Sequence, residues 1–64
     1  MKEENKVPII DVHRMLDERA GRPIPSRDFG VLLFGWQKHR GVKNPYKRKF
    51  LSMRDTFDFL KYAY

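Results

Sequence analysis

Residues 26–41 read SRDFGVLLFGWQKHRG. Phe29, Leu32, Leu33 and Trp36 fall at i, i+3, i+4 and i+7, the spacing of one apolar face of a helix. Ser26 is a good N-cap candidate, and Asp28 suits the positive end of a helix. Gly41 is placed to end it. Val31 and Phe34 lie off that face, so the helix is apolar over more than half its circumference. In a small domain this predicts a central helix packed on two sides; the alternative is an apolar patch offered to a partner. Gly30 and Gly35 each weaken such a helix by about 1 kcal/mol relative to Ala, and both permit close backbone approach.

Upstream, Pro8 is suited to a first helical position, and Ile9, Val12 and Leu16 repeat at threes and fours with Met15 beside them. Asp11, His13, Arg14, Asp17 and Glu18 occupy the other side and read as a solvated face. Gly21, followed by Pro23 and Pro25, stops this helix, which is predicted over Pro8 to Ala20. Residues 1–6 are charged or polar and are expected to fray.

Downstream, Asn44-Pro45 signals a turn. Tyr46 to Leu51, YKRKFL, reads as a short strand or the return arm of a hairpin with its tip at Gly41 to Pro45. Ser52-x-x-Asp55 has the spacing of a capping box and opens a last helix. Met53, Phe57, Leu60 and Tyr64 are predicted to be its buried face, with Thr56 alongside and Phe59 and Tyr62 at the flanks. The expected fold is one mainly α domain over residues 1–64. It has three helices in a winged-helix-like order, with a short basic β-hairpin or loop between the second and third.

Sixty-four residues without cysteine leave no room for a second domain and exclude disulfides and thiolate metal sites. A chain of this size buries only about 60% of the surface its unfolded form exposes. The two histidines, His13 and His39, are far apart without clustered carboxylates, so no metal and no cofactor is expected. Ser26 and Ser52, the only serines, are both explained as caps, and no phosphate-binding glycine loop is present. No catalytic site is expected. The N-terminus lacks a signal-peptide pattern and the longest apolar run, Val31 to Phe34, is four residues, so a cytoplasmic location is expected.

The net charge is +6, and its distribution carries the functional signal. Residues 1–28 hold six basic and six acidic side chains, and residues 52–64 hold two of each. Lys38, Arg40, Lys43, Lys47, Arg48 and Lys49 fall in a stretch with no acid at all. One uncompensated basic patch on a balanced surface is the electrostatic footprint of a polyanion binder. Lysines and arginines neutralise phosphates, while Asn44, Tyr46 and turn amides add neutral contacts. Gln37, Lys38 and Arg40, at the end of the second helix, are candidates to reach base edges, and His39 adds charge if protonated. With Arg27 from the first turn of that helix, the candidate DNA-binding set is Arg27, Gln37, Lys38, His39, Arg40, Lys43, Asn44, Tyr46, Lys47, Arg48 and Lys49.

Tyr46 to Leu60, YKRKFLSMRDTFDFL, resembles the end of small winged-helix DNA-binding proteins of the phage excisionase type, related to MerR-like domains. Ser26-Arg27-Asp28-Phe29 is similar to the start of their second helix and Asp11-Val12 to Leu16 to their first, a likeness over about residues 8–62. The resemblance implies an architectural factor that binds or bends double-stranded DNA, or binds a recombinase on it, and has no catalytic activity. It implies that Lys43, Lys47, Arg48 and Lys49 form the wing and that Gln37, Lys38 and Arg40 lie nearest the major groove.

Two other classes fit parts of the sequence. Five Phe, three Tyr and one Trp suit a small protein-binding regulator or inhibitor of an enzyme, with exposure of Phe34, Phe59 and Tyr62 as the deciding observation. Tyr46 and Phe50 bracket a basic run, as an RNA-binding protein that stacks bases would require.

Overall fold

Two short strands from distant parts of the chain meet to close the fold. In the computed structural model, which describes residues 6–64, β1 (Lys6–Pro8) pairs antiparallel with β2 (Phe50–Ser52). With helices α1 (Ile9–Ala20), α2 (Ser26–His39) and α3 (Met53–Ala63), the order is β1-α1-α2-β2-α3. Val7 stands opposite Leu51, and both are buried. Alternation along a strand puts their neighbours outward, so three residues on each side suffice to seal one edge of the core. The Ile9 amide donates to the Lys49 carbonyl at 3.0 Å, which carries the ladder into the first turn of α1. Pro8, at the end of β1, has no amide to lose, and its φ of −58° suits the step from strand to helix. Residues 1–5, where fraying is expected, lie outside the described residues; Lys6 is part of the sheet.

The first helix follows its sequence pattern. Val12 and Leu16 are buried, and Ile9 and Met15 pack partly against them. Gly21 takes a left-handed φ of 75°, and its amide reaches the Asp17 and Glu18 carbonyls, which closes the helix. The other side of α1 is not simply solvated. The His13 ring donates from Nε2 to the Ile24 carbonyl at 2.6 Å, and Asp17 Oδ1 accepts the Ile24 amide at 2.8 Å. His13 also stacks on Phe29, with centroids 4.4 Å apart. These two polar side chains hold the α1–α2 connection so that Ile24 enters the core.

On α2, Phe29, Leu33 and Trp36 are buried, as the periodicity predicts, and Leu32 is half-buried. Gly41 follows the helix with φ 93°, a left-handed value that favours glycine. Two expectations fail here. Ser26 is the first residue of the helix rather than its cap; Pro25 holds the cap position, with no side-chain hydrogen bond. Nor is α2 central, because Val31 is 67% exposed and Phe34 37%. The central element is α3, which packs against both α1 and α2.

The face that α3 buries also differs from the predicted one. Thr56, Phe59 and Leu60 are buried with Ala63 packed beside them, while Met53, Phe57 and Tyr64 are exposed. The apolar arc of α3 runs from Phe59 through Ala63, Leu60 and Met53 to Phe57, opposite Arg54, Asp58 and Lys61, and the helix buries the Phe59 side of that arc rather than the Phe57 side. Thr56 decides it. Its hydroxyl donates to the Ser52 carbonyl at 2.9 Å, so it enters the core with its polar group satisfied. Phe59 then sits edge-on to both Phe29 and Trp36, each 5.7 Å away. Half of the expected capping box forms: Ser52 Oγ accepts the Asp55 amide at 3.0 Å, while the Asp55 carboxylate turns to Arg40.

No hairpin forms between α2 and α3. Residues 42–49 are irregular, and the strand that follows them finds its partner in the N-terminal segment instead. Over the described residues the fold is thus mainly helical, with three helices and one small two-stranded antiparallel sheet.

Candidate nucleic-acid interface

The basic segment folds as a loop because α2 supplies the hydrogen bonds that a second strand would have given. Gln37 is fully buried. Its Nε2 donates to the Tyr46 carbonyl at 2.9 Å, and its Oε1 accepts the Tyr46 amide at 3.4 Å and Arg48 Nε at 3.2 Å. One side-chain amide therefore pairs with both backbone groups of one loop residue, as a neighbouring strand does. This role removes Gln37 from base reading, since a buried side chain cannot reach a groove edge. Its position one residue after Trp36 and four after Leu33, in phase with the core, is the sequence signal that points inward.

From Gly41 the loop runs back along α2. Lys47 and Arg48 border a mostly apolar groove with Gly30, Leu33 and Phe34, and Ser26 lies at the same groove. The Arg27 side chain, next in sequence to Ser26, is exposed on this first turn. Lys38, His39, Lys43, Asn44, Tyr46, Lys47 and Lys49 are exposed; His39 leans on the Tyr62 ring at 5.4 Å. Lys38, Lys43, Lys47 and Lys49 make no ion pair with any other described residue.

Arg40 differs from these lysines. Its guanidinium meets Asp55 at 3.0 Å and Asp58 at 3.4 Å, and it lies over the Trp36 ring at 5.3 Å. Asp55, and to a lesser degree Asp58, hold Arg40 more firmly protonated than usual. Asp58 in turn accepts the Trp36 indole N–H at 2.9 Å, and that hydrogen bond, aided by Arg40 and Lys61, holds its carboxyl below the usual range. Arg40 is thus committed to an α2–α3 latch, although segment-by-segment charge counting leaves it unbalanced. Among the described residues the uncompensated set is Lys38, Lys43, Lys47 and Lys49, with Arg48 shared between Gln37 and the Tyr46 face.

Of the three aromatic positions that bear on protein binding, Phe59 is buried while Phe34 and Tyr62 are exposed. Among the described residues no three His, Asp or Glu gather where a metal ion could be held. No described helix is long and apolar enough to cross a membrane. His13 and Asp17, 3.6 Å apart, are occupied by the backbone of Ile24. Set against known proteins, the chain matches no family model, no curated protein and no solved structure.

Proposed function

We propose that the protein is a non-enzymatic binder of double-stranded DNA that grips phosphates with Lys38 at the end of α2 and Lys43, Lys47 and Lys49 on the following loop. The observation that carries this reading is the contrast among neighbouring cations. Arg40 is neutralised by two carboxylates, while four lysines around it are exposed without an ionic partner among the described residues. Placing Lys43, Lys47 and Lys49 on a loop pinned by Gln37 limits the entropy lost on binding. Released counterions then supply sequence-independent affinity. In the excisionase-type role that the sequence resemblance suggests, the protein acts as an architectural factor on DNA, alone or with a recombinase, and residues 42–49 serve as the wing in loop form.

The test is fluorescence anisotropy against random duplex DNA across a salt series. Contacts from four lysines predict a log–log slope of about −3 to −4. Absence of binding at low salt rejects the reading. A protein-binding regulator is the second reading, favoured by the groove that exposed Val31 forms with Leu32, Ala63 and Tyr64 on the other side of α2. A soluble partner recovered in the absence of any DNA affinity would support it.

A further inference from the structure

Tyr46 is 55% exposed, yet both its backbone groups are hydrogen-bonded to a buried side chain. Gln37 grips its amide and its carbonyl, and the Arg48 guanidinium, itself bonded to Gln37, covers the ring at 4.9 Å. Among the described residues no other ring or cation packs on Tyr46. An exposed aromatic ordinarily loses side-chain freedom when a ligand settles on it. Here the backbone and one ring face are already fixed from a buried side chain, so little remains to be ordered. The exposed lysines Lys43 and Lys47 lie three residues before it and one after.

We propose that Tyr46 is a stacking platform for one unpaired nucleobase, so that the preferred site of the loop is DNA in which a base has left the helical stack. The inference rests on the DNA-binding reading and adds to it the feature that is recognised. In an intact duplex both faces of each internal base are covered by neighbours, and the phenol ring has nothing to stack on. A bulged or extruded base presents a free face, and aromatic stacking accepts any base because each has a π-face. Neighbouring phosphates then fall to Lys43 and Lys47. Phe50, also exposed, lacks this support: among the described residues the one cation or ring packed on it is Lys6, at 5.8 Å.

The experiment compares three duplexes with hairpin-capped ends, so that no terminal base pair is open: one fully paired, one with a single bulged thymidine, one with an abasic residue at the bulge. Wild-type protein is expected to bind the thymidine bulge about tenfold tighter than the other two. Tyr46→Phe keeps that preference. Tyr46→Ala loses it, while its salt slope and its circular dichroism spectrum stay those of the wild type. Equal binding to all three duplexes with a steep salt slope overturns the platform and leaves the DNA reading standing. So does a bulge preference that survives in Tyr46→Ala, or one shared by the abasic bulge. No binding to any of the three overturns both.

Discussion

The chain contains two connections built on one device and turned to different ends. In the α1–α2 connection, His13 and Asp17 grip the carbonyl and the amide of Ile24. In the loop after α2, Gln37 grips the carbonyl and the amide of Tyr46. Each time a helix lends side-chain hydrogen bonds to a residue that no strand accompanies, which satisfies backbone groups that would otherwise be stranded. The gripped residue differs. Ile24 points into the core and is 6% exposed, between two prolines. Tyr46 points outward, among lysines. The first clamp delivers an apolar side chain to the interior, and the second presents a surface to the solvent. Stability and binding are therefore expected to separate between the two.

The largest effect should come from Ile24→Ala, which removes a core side chain from the stabilising connection. A loss of about 2–5 kcal/mol in urea denaturation is expected, a large share of the stability of so small a domain. A loss well below 1 kcal/mol would show that the connection is not part of the core. Next comes Gln37→Leu, which keeps the volume and removes the grip. The expected cost is about 1–3 kcal/mol, concentrated in the loop. Hydrogen exchange should show protection lost at the Tyr46 amide and kept at the Ile24 amide. Parallel loss at both would break the comparison, because the two clamps would then be one cooperative unit.

A smaller effect is expected from acid. Asp58 titrates below its ordinary value in the folded state, so its contribution is present above that value and is lost as pH falls through the folded one. Between about pH 5 and pH 2 wild-type protein should lose more stability than Asp58→Asn, which cannot titrate there. Identical acid profiles would remove the Asp58 latch from the account of how the end of α2 is held. The smallest effect on stability is expected from Lys43→Glu combined with Lys47→Glu. It should stay within about 0.5 kcal/mol of wild type while DNA affinity falls by at least tenfold, about 1.4 kcal/mol. Arg48 is excluded from this pair because its bond to Gln37 makes it structural. Undiminished DNA affinity in the folded variant would mean that the loop lysines are not the contact.

Much of the fold is legible in local chemistry. The face of α1, the glycine stop at Gly21 and the Ser52 cap follow from side chains acting on residues within four positions of themselves. The apolar face of α2 from Phe29 to Trp36 is legible for the same reason, since helical periodicity is short-ranged. The phase of α3 is not, because its apolar arc is wider than the face it buries and a threonine lies in the middle of that face. The strand at Phe50 is legible, but its partner is not. Three residues of extended chain accept any edge that reaches them, and the 42–49 segment finds its hydrogen bonds in a glutamine.

For the candidate site, the sequence alone determined that the net positive charge collects between Lys38 and Lys49 and that no acid lies within that stretch. Charge is carried by residue identity and needs no fold to be counted. Only the tertiary structure decided which of those charges stay available. It brought Asp55 and Asp58 from α3 to Arg40, buried Gln37, and set Arg48 behind Tyr46, leaving the lysines outside. Ion pairing and burial depend on distances across the packed core, and residues fifteen or more apart in the chain acquire such distances only when the helices dock.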